Sequence, residues 1–416
     1  MVGGENKEGR KRPSGPRFEN PQLFNPLVDG ILVGGLSLLV IVGLLLVGEL
    51  WPSVFDAFRS RPGFLDELTW VFVLTTLING SHFMGSYWML YSTGGQVKRY
   101  PWATIYVPAI LVSLAVLSVV LMAMGARMGQ DELSFAAGME AQLKNQATPI
   151  GALLESCQQL PLFVAGRVIY MLMFFVSIIY LAWHYNGQGW GMTASFCYLA
   201  GIQMRDADRK LIRSGYRAMT AVHVGYWAMR AAQAAANQRF ISEWMAESVT
   251  ILVVTLLVLA LAITIPLGIQ GFRRAARRSG QSIPLRAILP WMAIYFWYLL
   301  IFVHPYFFIV LQLSHALQYL SFPLRVEANR HADKGKVAAI RPFALYLGLV
   351  AAGFIVFDLP PVLQMMQFLN IEPFKVAALL ATVINIHHYF ADGVIWKISN
   401  PDVRRDVFSH LRPLES

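Results

Sequence analysis

Residues 249–271 read VTILVVTLLVLALAITIPLGIQG, 23 consecutive positions without a charged side chain, and FRRAARR follows at 272–278. A helix rises 1.5 Å per residue, so about 20 mainly apolar residues cross the hydrocarbon layer of a bilayer. The stretch reads as a membrane span at about 246–271, with its arginines marking a boundary with water. By the same rule, further spans fall at about 27–51, 67–92, 102–125, 168–200, 287–303, 304–324, 342–368 and 374–397. The segment 215–237 is Ala-rich and carries Arg230, and counting it brings the total to about ten spans.

Composition agrees with this reading. Of the 416 residues, 56% are apolar and only 14% are charged. A soluble domain carries about 25% charged residues, so this chain has too few to cover a water-facing surface. A soluble globular enzyme is excluded, and 26 Phe, 16 Tyr and 11 Trp exclude a disordered chain. The expected fold class is all-α, a polytopic integral membrane helical bundle. Cys157 and Cys197 lie in no CxxC or Cys/His run, which removes a disulfide scaffold and a thiolate-held cluster.

The net charge of +10 comes from short basic runs at the ends of apolar segments. They include Lys7, Arg10, Lys11, Arg12 and Arg17, then Lys98 and Arg99, Arg205 to Arg217, Arg273 to Arg286, Arg325 to Arg341, and Lys397 with Arg404, Arg405 and Arg412. Ten spans place all of these on one side, as the positive-inside bias requires, whereas omitting 215–237 would put the arginines after 272 outside. Both termini are then cytoplasmic and the expected location is a bacterial inner membrane. Nucleic acid is not an expected partner, because no solvated basic face exists. The expected organisation is a disordered basic tail at 1–27, one transmembrane domain at 28–398 and a cytoplasmic C-terminal tail at 399–416. The acidic stretch 126–167 reads as an outside connection lying on the surface.

Chemistry is expected at the histidines. Six of the nine, His82, His184, His223, His315, His387 and His388, fall well inside proposed spans, and residues near the centre of a span share one depth. An imidazole in hydrocarbon needs partners, so several on separate helices at one level point to a common site. Candidate metal ligands are His82, His184, His315, His387 and His388. Adjacent residues lie about 100° apart on a helix, so His387 and His388 cannot share one direction. Polar groups at helical spacing, Gln188, Gln318, Asn385 and Asp392, together with Ser86 and Tyr87, are candidates to orient the ligating rings. Tyr319 and Tyr389 are candidate catalytic proton donors. Imidazoles suit iron, zinc, copper or nickel, and dry aromatic surroundings favour Fe(II) with open positions, with Zn, Cu or haem as alternatives.

Histidines on separate membrane helices, one of them followed by an aromatic and acidic stretch (HHYFAD, 387–392), resemble the bacteriorhodopsin-related carotenoid dioxygenases. The likeness is confined to short stretches around His82, His184, His315 and His388. It implies a ferrous ion held by four histidines and oxidation of a long lipophilic substrate with oxygen. The additional histidines and spans of this chain depart from that group. From the residues themselves three functions stand: a metal-dependent oxidoreductase acting on a lipophilic substrate from the bilayer, a haem-binding electron carrier, and a proton-coupled transporter.

Overall fold

Among the described residues every regular element is helical, as expected where no water is at hand to satisfy a sheet edge. The computed structural model describes Phe18 and residues 22–50, 73–92, 94–128, 161–237, 239–303, 307–332, 336–359, 376–395 and 401–411. The helices are α1 (Pro26–Gly30), α2 (Leu36–Leu50), α3 (Ser81–Tyr91), α4 (Gly94–Arg99), α5 (Val107–Met128), α6 (Pro161–Leu199) and α7 (Asp206–Asn237). They continue with α8 (Glu243–Ser279), α9 (Leu285–Val303), α10 (Phe308–Arg330), α11 (Lys336–Gly353), α12 (Val376–Ile395) and α13 (Pro401–Phe408). Single π-helical stretches at Ile31–Gly35, Thr75–Gly80 and Trp102–Tyr106 precede α2, α3 and α5, and another at Phe354–Asp358 follows α11.

Six helical stretches among the described residues are long and apolar enough to cross a membrane: Pro26–Gly43, Trp102–Met124, Phe163–Leu199, Glu243–Ser279, Leu285–Val303 and Ile340–Asp358. The architecture is that of an integral membrane protein. The predicted spans at 67–92, 215–237, 304–324 and 374–397 correspond to α3, α7, α10 and α12, which are not among the six. Of these, α10 and α12 carry the Ser, Gln, His, Asn and Asp side chains that lower a helix's apolar character. Outward faces bear large hydrophobics such as Ile251, Leu252, Val258 and Ile263 on α8, a distribution that suits lipid and not water.

The 39 residues of α6 make it the longest helix, packed against α5, α7, α9 and α12. Antiparallel to α8 runs α7, tied at one end by the Asp208–Arg278 ion pair and nearer the other by Gln233 and Thr250 at 3.4 Å. Polar bonds between helices hold the bundle where hydrophobicity cannot, because lipid is as apolar as a core. Thr193 donates to the Ala287 carbonyl at 3.0 Å, and Thr264 meets the Tyr295 hydroxyl at 3.0 Å. Each such bond contributes about 0.6 kcal/mol. Gly353 lies so close to Gly80 that a Cβ on it would stand 2.6 Å from the Gly80 carbonyl carbon, which brings the π-stretches before α3 and after α11 together.

At the end of the stretch that the sequence places in a disordered tail, Leu23 is packed while residues 25–27 are exposed. Leu23 is buried, the amides of Leu23 and Phe24 donate to the Asp29 carboxylate at 2.8 and 3.0 Å, and Asn25 caps α1. In the C-terminal segment, α13 buries Val403, Val407 and Phe408. Residues 129–160 of the connection 126–167 lie outside the described residues, as do His304 and Cys157. Cys197 is a buried free thiol.

Candidate metal centre

Four helices bring four histidines together. His82 on α3, His184 on α6, His315 on α10 and His388 on α12 each offer a ring nitrogen, and these four atoms lie within 4.8 Å of one another. All four side chains are buried. Close helix approach makes this possible: a Cβ at Gly85, almost one turn beyond His82, would stand 3.3 Å from both Tyr319 and Pro323 of α10. The absent side chain lets α3 settle on α10, and the His82 ring packs edge-on to Tyr319 and His315 with centroids 4.4 and 5.0 Å away.

The arrangement satisfies itself poorly without a cation. His184 Nε2 stands 2.8 Å from His315 Nε2 and 3.2 Å from His388 Nε2. A ring nitrogen carries one lone pair or one proton, so His184 Nε2 can make one well-directed hydrogen bond and its second short contact is left poorly satisfied. Neither nitrogen of His82 has a hydrogen-bond partner, and the outer nitrogens of His315 and His388 are likewise unpartnered. An unpaired buried polar atom costs about 1–3 kcal/mol, so an empty cluster is expensive. Imidazole nitrogens about 2.1 Å from one ion stand about 3.0 Å apart at right angles and about 3.4 Å apart in a tetrahedron. The His184–His388 separation of 3.2 Å falls in that range, the His184–His315 separation of 2.8 Å lies just below it, and the four atoms as a group spread over as much as 4.8 Å. This buried group could hold a metal ion.

Asp392, one turn after His388 on α12, lies behind the cluster. Its Oδ1 accepts from the Ser86 hydroxyl at 2.8 Å, and its Oδ2 is 3.6 Å from His184 Nδ1 and 3.7 Å from His388 Nε2. A carboxylate at the outer nitrogen of a ligating His sets the tautomer and raises ligand basicity. Asp392 Oδ2 lies beyond hydrogen-bond distance of both rings, close enough for its charge to act on His184 and His388 alike.

Other predicted residues have different surroundings. His387 points away from the four: its Nε2 donates to the Ala103 carbonyl at 2.8 Å and its Nδ1 accepts from the Tyr87 hydroxyl at 3.0 Å. A carbonyl can only accept, which fixes that tautomer and leaves no nitrogen for a metal. His223 is also engaged elsewhere. Trp227 donates to its Nε2 at 3.1 Å, so its Nδ1 carries the proton that meets Tyr298 at 2.9 Å. Gln188 donates to the backbone carbonyl of His315 at 2.9 Å, and Gln318 donates to the carbonyl of Val33 at 2.6 Å. Neither glutamine bond is made to an imidazole. Asn385 accepts from Tyr389 at 3.4 Å and donates to Ala381 at 2.8 Å, within its own helix. Tyr319 and Tyr389 touch the cluster with their rings, Tyr389 lying 4.8 Å from His184 between centroids.

Two contacts were not singled out from sequence: Tyr185, with its ring 4.4 Å from His315, and Phe83, with its ring 4.5 Å from His388. Each is the chain neighbour of a clustered histidine, which is the signal that could have found it. A cavity of about 730 Å³ opens against His184, Tyr389 and Asp392. Comparison with family models, with curated proteins and with solved structures finds no match for this chain.

Proposed function

We propose that this protein is an integral-membrane, metal-dependent oxidoreductase of the oxygenase kind, acting on a lipophilic substrate at the four-histidine centre. The observation that carries the reading is the convergence of four buried imidazoles from four helices, backed by one carboxylate and flanked by an apolar cavity. With only neutral nitrogen donors facing inward, the set suits iron, copper or zinc, and a centre for oxygen chemistry favours Fe(II). The ion would supply a redox-active coordination position. His82, His184, His315 and His388 would hold it, Asp392 and Ser86 would keep the His184 ring aimed, and Tyr185, Phe83 and Tyr319 would exclude water.

Kinship with the bacteriorhodopsin-related carotenoid dioxygenases belongs to the same proposal and rests on the same four histidines. So does a ten-span topology with α3, α7, α10 and α12 crossing, both termini cytoplasmic, in a bacterial inner membrane. The haem alternative is disfavoured by geometry. Axial ligands sit on opposite faces of a broad porphyrin, and here two further imidazoles occupy the space around any such axis. A proton-relay transporter would stagger its groups along the membrane normal, whereas these meet at one point.

The test is metal analysis and an optical spectrum of the purified protein beside a His82→Ala/His315→Ala double variant. About one non-haem iron per wild-type chain, lost from the variant, is the expected result. A Soret band, or wild-type metal content in the double variant, would overturn the reading.

A further inference from the structure

The cavity beside the centre runs along α6 from Ile179 to Ser195, about 24 Å at 1.5 Å per residue, and its other wall is made by Tyr389, Asp392 and Gly393 of α12 with Phe322 of α10. Its rim reaches the outer surface of the bundle, where Trp183 is 59% exposed. Three glycines shape it. A Cβ on Gly187, Gly191 or Gly393 would meet nothing within 4 Å, so at each of these positions the absent side chain is open space. Gly189 on the same helix differs, since a Cβ there would press on the Tyr216 ring at 2.7 Å. The open glycines therefore face a channel while Gly189 serves helix packing.

Charge narrows the occupant. No Lys or Arg lines the cavity, and its acidic member is Asp392. Arg213 stacks on the ring of Trp190 at 5.2 Å and is not itself part of the lining. A carboxylate or phosphate drawn into this space would leave water, find no cation among the lining residues and face a carboxyl group.

We propose that this groove binds a single elongated, uncharged lipid chain that enters sideways from the bilayer between α6 and α12, with Gly187, Gly191 and Gly393 setting the width it accepts. The inference rests on the metal-centre reading for what happens to the chain, but not for whether it binds. A phospholipid or free fatty acid is excluded by its head. A neutral long-chain alcohol or isoprenoid fits.

The experiment is photolabelling in lipid nanodiscs with a diazirine-bearing octadecanol and the matching octadecanoic acid, the labelled peptides being mapped by mass spectrometry and the metal content read from the same samples. The alcohol is expected to label 179–195 and 389–393. The acid is expected to label them about tenfold less, the penalty of a charge without a partner. Gly191→Leu should cut alcohol labelling about tenfold, since overfilling a formed space is costly, and leave metal content unchanged. Gly191→Ala and Gly393→Ala add a Cβ in open space, keep the fold, and should give smaller graded losses. Equal labelling by the acid, alcohol label spread evenly over the outward faces of α5 and α8, or labelling of the groove unaffected by all three glycine variants would overturn the proposal. Loss of metal across every sample would count against the metal centre and leave the groove standing.

Discussion

His184 and Asp392 face each other across the α6–α12 interface, with His184 Nδ1 3.6 Å from Asp392 Oδ2 while its Nε2 meets His315 and His388. One imidazole thus joins the carboxylate on its outer edge to the cluster on its inner edge. The carboxylate is itself oriented by the Ser86 hydroxyl of a third helix at 2.8 Å.

Removing that carboxylate while keeping the four rings should weaken metal retention without abolishing it. Asp392→Ala is expected to lower metal affinity by about 10–100-fold, the usual effect of losing a ligand's outer partner. Ser86→Ala should have a smaller effect in the same direction. Competition with a chelator, followed by metal analysis, reads both. An unaltered chelator midpoint for Asp392→Ala would mean that the carboxylate does not tune the site.

The two adjacent histidines should behave oppositely. His388→Ala is expected to deplete the metal. His387→Ala should retain it but lower the thermal midpoint, because the Ala103 carbonyl loses its imidazole donor and the Tyr87 hydroxyl keeps only the Ile384 carbonyl, a loss of about 1–3 kcal/mol. Metal content and thermal unfolding of the two variants in detergent separate these outcomes. Depletion in His387→Ala would contradict its assignment to packing.

Gln318 is expected to matter for stability alone. Its amide satisfies the Val33 carbonyl inside the π-stretch Ile31–Gly35, which also contains Gly34 at φ 152°. Gln318→Leu removes that buried donor and should destabilise by about 1–3 kcal/mol with metal content unchanged. If metal is lost at full thermal stability, the glutamine acts on the site instead.

At the charged end of the α7–α8 hairpin, the stability of the protein should fall in acid. Burial alone raises the Asp208 carboxyl, but the hydrogen bonds from Arg278 and the Arg205 amide, with the nearby charges of Arg278 and Arg274, lower it overall below 3.8. A carboxyl depressed in the folded state stabilises fully above its unfolded value of about 3.9, and that contribution is lost as pH falls through the folded value. Thermal midpoints from pH 7 to pH 3 should therefore converge for wild type and Asp208→Asn below about pH 4. A constant gap across the series would show that the ion pair is not the source.

Much of this protein was legible in its residues because a bilayer imposes a one-dimensional rule. The uncharged run at 249–271 and the basic residues after it are enough to place α8, and the positions of His82, His184, His315 and His388 along apolar stretches are enough to nominate them as one group, which the fold brings together. Depth follows from distance along a helix, which counting supplies. Rotation about the helix axis does not. His387 and His388 differ by one position and about 100°, and packing of α12 against α3, α6 and the π-stretch Trp102–Tyr106 decides that one joins the cluster while the other binds Ala103. The same contacts turn His223 toward Tyr298, give Gln318 to Val33 and not to an imidazole, and open the groove at Gly191 and Gly393. Sequence periodicity carries the apolar character of each helix but not which neighbour its faces meet, and that is decided by close approaches such as Gly85 on Tyr319.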